Sequence, residues 1–154
     1  MTRVEAERAL RDNLPTAWEA VTYLKKGYSC SDFATLAKAY PFSKHYLVRL
    51  EIVETVGLVE CEGAIAFLRE VAGSRTYYLI RYYALRCLID LGYSDWQSFT
   101  SRRKSSDFYG SLLAYEMFLS QKLSKQELRD LASSRTKAIG DHWYWLTQEF
   151  EIPR

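Results

Sequence analysis

Few residues in this chain have the types and spacing to do chemistry. Asp141 and His142 adjoin in a tryptophan-rich segment, and an acid–histidine pair could serve catalysis or bind a metal. Adjacent residues on a helix do not face each other, so these two cannot converge on one atom. The other histidine is His45, and no H-x-x-x-H, nucleophile elbow or Gly-rich phosphate loop occurs. Glu51 and Glu54 are carboxylates three apart, a spacing that fits a solvated helix face. No catalytic residue, metal site or cofactor is expected. Cys30, Cys61 and Cys87 are odd in number and lack a C-x-x-C motif, so reduced thiols in a cytoplasmic protein are expected.

Contact chemistry is better represented. Tyr77, Tyr78, Tyr82 and Tyr83 crowd one segment beside Arg86. Tyrosine and arginine are enriched at interface hot spots, because they offer large area with a polar tip. A partner-binding group of Leu47, Leu50, Glu51, Glu54, Tyr82, Tyr83 and Arg86 is expected. A competing reading uses Arg75, Arg81, Arg86, Arg102, Arg103 and Lys104 to bind nucleic acid. The charge pattern disfavours it: residues 1–77 carry 10 basic and 10 acidic side chains, and residues 78–154 carry 11 and 9. No polybasic block steers the chain toward nucleic acid or anionic lipid. No run of apolar residues is long enough to span a membrane, and the charged opening Met1-Thr-Arg-Val-Glu-Ala-Glu does not read as a signal peptide.

The elements that must position these residues are helices. The 154 residues suit one domain, and hydrophobic periodicity near 3.6 runs almost throughout. A first helix over about 2–13 carries Val4, Ala9 and Leu10 inward. A second follows Pro15 with Trp18, Val21 and Leu24 toward the core. Further helices are expected at about 32–40, 44–57, 63–71 and 76–91, closed by Pro41, Gly57, Gly73 and Gly92. Capping boxes at Ser94-x-x-Gln97 and Ser124-x-x-Glu127 open two more, and between them a polar loop at 101–107 leads into a helix capped by Asp107 and running to about Gln121. A last helix holds Trp143, Trp145 and Phe150, which could cap the open end of a stack. No strand signal survives.

Residues 31–60 and 63–92 align without a gap at an offset of 32. Ala34, Leu36, Tyr46, Leu47 and Arg49 recur identically as Ala66, Leu68, Tyr78, Leu79 and Arg81. A fixed period of this size is the signature of stacked supersecondary units. On a helical wheel, Ile80, Ala84, Leu88 and Leu91 share one arc, while Leu79, Tyr82, Tyr83, Arg86 and Asp90 lie opposite. The equivalent outer residues one repeat earlier are Leu47, Leu50, Glu51, Glu54 and Leu58.

Val48-Arg49 and Ile80-Arg81, a small apolar residue four positions on at Ala84, and the Leu91-Gly92 ending make this pattern resemble the second helix of a HEAT repeat. Gly63-Ala-Ile-Ala-Phe-Leu-Arg-Glu-Val resembles its first helix. Where the family often carries an aspartate six residues before that arginine, this chain has Ser43 and Arg75. The resemblance implies an all-α fold: a short right-handed α-solenoid of antiparallel helix pairs, with the second helices lining one face. An irregular helical bundle is the alternative. It also implies non-enzymatic binding of another protein, as an adaptor or an inhibitor of the toxin-immunity kind.

Overall fold

The computed structural model describes residues 1–93, 124–127 and 130. The chain divides into two compact units, Met1–Trp96 and Gln97–Arg154. All the helices described below belong to the first. They are α1 (Arg3–Arg11), α2 (Ala17–Lys26), α3 (Cys30–Ala39), α4 (Tyr46–Val56), α5 (Ala64–Gly73) and α6 (Tyr78–Asp90), with a 3-10 turn at Tyr40–Phe42. The described elements are all helical. None of these helices is long and apolar enough to cross a membrane.

Local chemistry sets the helix ends. The Thr2 hydroxyl accepts from the Glu5 amide at 3.2 Å, and Glu5 accepts from the Thr2 amide at 2.6 Å. The start of α3 is earlier than expected, because Asp32 reaches back to the Ser29 amide at 3.1 Å and anchors the first turn. Pro41 cannot continue α3, and the chain leaves through the 3-10 turn. His45 caps α4 through Nδ1, which accepts from the Leu47 amide at 3.2 Å. Gly63 precedes α5 at φ +84°, a left-handed conformation that favours glycine. In the second unit, Ser124 and Glu127 form the reciprocal capping bonds read from the sequence, at 3.2 and 3.0 Å.

Helices pack as neighbours in sequence, with α1 on α2, α3 on α4 and α5 on α6. The second members also form a row, α2 against α4 and α4 against α6, and α1 meets α3. Leu36, Ile52, Leu68, Ile80 and Leu88 are fully buried between them. Burying a side chain of this kind stabilises the fold by about 1.5–3 kcal/mol.

Contacts recur near the repeat period. Phe33 meets Phe67 edge-on at 6.1 Å, and Tyr46 meets Tyr77 at 5.5 Å. The Cys87 thiol donates to the Val53 carbonyl, 34 positions back, at 3.7 Å. Arg3 pairs with Asp32, 29 positions on, so the same spacing reaches back to α1. The helices α4 and α6 begin at Tyr46 and Tyr78, the expected 32 apart, but α3 and α5 begin at Cys30 and Ala64, 34 apart. The difference lies in the entries: Ser29 and Asp32 start α3 early, whereas α5 waits for the turn at Gly63.

Backbone carbonyls hold the Arg49 guanidinium. The Arg49 Nε–H donates to the Ser43 carbonyl at 2.8 Å, and Nη2 donates to the Pro41 carbonyl at 3.2 Å. Its guanidinium also lies 5.3 Å from the centre of the Tyr40 ring. Burial raises the Tyr40 phenol above its usual range, against the opposing effects of Thr76 and Arg49.

Three inward assignments change. Val4 is exposed, and α1 buries Ala6, Ala9 and Leu10 instead. Trp18 is 47% exposed, because the buried stripe of α2 is Ala17, Ala20, Val21 and Leu24. Leu91 is only half-buried. The cysteine expectation is also corrected, since Cys30 and Cys61 form a disulfide with Cα atoms 5.3 Å apart. They are 31 positions apart, close to the offset of 32 read from the sequence. Only Cys87 is a free thiol among the described residues.

Candidate protein-docking face

The row α2–α4–α6 places three outer stripes side by side. On α2, Trp18, Thr22 and Lys25 follow one another at i, i+4 and i+7. On α4, Leu47, Glu51 and Glu54 repeat that spacing, with Leu50 beside them. On α6, Tyr83, Arg86 and Asp90 take i, i+3 and i+7.

The first two stripes are bolted together by charge. The Lys25 ammonium sits 3.0 Å from Glu51 and 3.1 Å from Glu54. Burial alone would lower the Lys25 pKa, but the two carboxylates outweigh it and hold it above the ordinary 10.5. Because the folded value exceeds the unfolded one, this stabilisation is complete below pH 10.5 and fades as pH rises through the folded value. Lys25→Met should therefore cost up to about 1 kcal/mol at neutral pH. Denaturant midpoints of the two proteins should converge once the solution is more alkaline than the folded Lys25 pKa. A gap that persists there would mean lost packing, with no contribution from the ion pairs.

Of the seven residues expected at a partner interface, Leu47 is 41% exposed and Arg86 is exposed. Leu50, Glu51, Glu54 and Tyr83 are half-buried. Tyr82 is 7% exposed, so it does not offer a surface. Its ring meets Tyr83 edge-on at 5.4 Å. The wheel assumed one buried arc, but α6 packs on both α4 and α5 and is covered on more of its circumference. Arg81 is likewise buried and Arg75 exposed, which takes one arginine out of the nucleic-acid reading.

Among the described residues, no group of His, Cys, Asp and Glu could hold a metal ion. Burial pushes the Cys87 thiol up to about 12, with Asp90 and Glu54 adding to the shift and Arg86 and Lys25 opposing it. A thiol held that high is not a nucleophile at neutral pH. Arg102, Arg103, Lys104, His142 and the Trp143, Trp145 and Phe150 cluster lie outside the described residues.

Sequence reasoning missed the Lys25 clamp, the exposure of Trp18 and the disulfide. The signal available for two of these was separation: Lys25 and Glu54 are 29 apart, and Cys30 and Cys61 are 31 apart. No known protein family, curated protein or solved structure matches the chain.

Proposed function

We propose that this chain is a non-enzymatic protein-binding module, built as a short right-handed HEAT-like solenoid of antiparallel helix pairs. It docks a partner protein on the α2–α4–α6 face. Contacts recurring at separations near 31 support the stacked architecture. The observation that carries the function is the composition of the exposed face. Trp18 and Leu47 stand open to solvent on the same two helices as the Lys25–Glu51–Glu54 cluster, and Arg86 is exposed on α6. Exposed apolar side chains, an aromatic among them, on the same face as charged groups are the ordinary composition of a protein interface. Roles consistent with it are an adaptor or an inhibitor of the toxin-immunity kind.

The test is capture of a native protein from lysate by the wild type and by Tyr83→Ala/Arg86→Ala. Both residues reach the surface, so circular dichroism and thermal unfolding should show an intact domain. Loss of two hot-spot contacts should weaken capture by about 30-fold, or about 2 kcal/mol. Equal capture by the double variant would move the interface off this face.

A further inference from the structure

A groove of about 380 Å³ opens at the end of this face where α2 and α4 both begin. Its floor is Ala17 and Val48, both buried. Its walls are the exposed Leu14, Trp18 and Leu47. The wall carried by the turn between α1 and α2 is fixed in place. The Leu14 amide donates to the Ala9 carbonyl at 2.9 Å, and the Ala17 amide donates to the Leu14 carbonyl at 2.9 Å. The groove is therefore preformed and apolar, as side-chain binding sites usually are.

The rim has one sign. Lys44 and His45 line it, and no carboxylate does. Lys44 makes no ion pair among the described residues, so its ammonium is available. His45 uses Nδ1 to accept from the Leu47 amide, which leaves Nε2–H as the donor of the neutral ring. The His45 ring is also stacked on Tyr46 at 5.4 Å, so its orientation is held from two sides. Two donors beside an apolar slot select an apolar group with an anion next to it.

We propose that this groove takes a leucine-sized side chain of an acidic peptide segment, with the adjoining carboxylate bound by Lys44 and His45. The inference rests on the protein-binding reading and names the kind of segment that the face accepts. A peptide suits the site better than a small apolar acid, because the groove is open.

The experiment uses the whole protein and three probes, followed by nitrogen–proton correlation spectra. The probes are acetyl-Glu-Leu-Glu-Leu-Glu-amide, the same peptide with Lys for Glu, and the same with Ser for Leu. The Glu/Leu peptide should shift the Leu14 and Leu47 amides and the Trp18 indole saturably. Lys44→Glu should weaken that binding by about tenfold and strengthen the Lys/Leu peptide. The Glu/Ser peptide should leave the groove unmoved. Absence of a saturable shift with the Glu/Leu peptide overturns the inference, and so does equal binding of the Glu/Leu and Lys/Leu peptides. Saturable binding that moves only amides elsewhere overturns it as well. If Tyr83→Ala/Arg86→Ala still loses partner capture in those cases, the groove assignment alone has failed. If capture is unaffected by both sets of variants, the docking face itself has failed.

Discussion

Replacing Cys30 and Cys61 together by alanine should lower the unfolding free energy by about 3–4 kcal/mol. The bond closes a loop of 31 positions, from the start of α3 to the connection between α4 and α5. In the chain-entropy account, opening a loop of that length restores much freedom to the unfolded chain, and that freedom favours unfolding. The effect is large beside the 5–15 kcal/mol that holds a typical domain together. Urea unfolding of the wild type, with and without dithiothreitol, reads it directly. Reduced wild type should unfold at the same urea concentration as the double alanine variant, which dithiothreitol should leave unchanged. Cys87→Ala is the control, because the buried Cys87 thiol has no partner sulfur. If reductant does not move the wild-type midpoint, Cys30 and Cys61 are not bonded in solution. The result also bears on location, since reducing compartments keep such pairs open and the expectation of a cytoplasmic protein leaned partly on unpaired thiols.

Gly57→Ala should destabilise the domain by about 1–3 kcal/mol, and the sign is the informative part. Gly57 ends α4 at φ −73°, a conformation that any residue adopts. On backbone grounds alone, alanine there should stabilise by about 0.4–1 kcal/mol, because it restricts the unfolded chain. The neighbour reverses the sign. A Cβ at position 57 would overlap the Cys87 sulfur and stand 2.6 Å from the Cys87 Cβ. The helices α4 and α6 approach so closely that one of them must move to admit a methyl group, and interiors at crystal-like density resist such movement. Cys87→Ala removes the sulfur but keeps the Cβ, so the double variant should recover only part of the loss. A double-mutant cycle in guanidinium should give a coupling energy of about 0.5–3 kcal/mol. A stabilised Gly57→Ala would mean that the two helices stand further apart at that point.

Both predictions arise from one feature. Cys30 meets Cys61, Gly57 meets Cys87, Lys25 meets Glu54 and Tyr46 meets Tyr77, all at separations of about one period. Stacking equivalent units puts equivalent positions in contact. The offset of 32 was legible in the residues, and the contacts at about that separation became visible only in the fold. A cysteine pair one period apart could have been read that way, whereas counting the cysteines pointed to free thiols.

The candidate face was legible in part. Leu47, Leu50, Glu51, Glu54, Tyr83 and Arg86 stand on the outer stripes of the row, as the helical wheel placed them. Tyr82 and Trp18 were misplaced for opposite reasons. A wheel knows one helix at a time, and α6 is covered from two sides, so Tyr82 is buried. On α2, four smaller apolar residues fill the contact, and the largest side chain is left outside.

The residues by themselves determined that the described part of the chain is helical and, to within a few residues, where its helices stop. Those properties depend on hydrophobic spacing, capping groups, proline and glycine, all of which act within a few residues. The tertiary structure decided which thiols pair, which carboxylates share Lys25, and which aromatic rings reach solvent. Those outcomes depend on what the neighbouring unit brings to the same point in space, about thirty positions away along the chain.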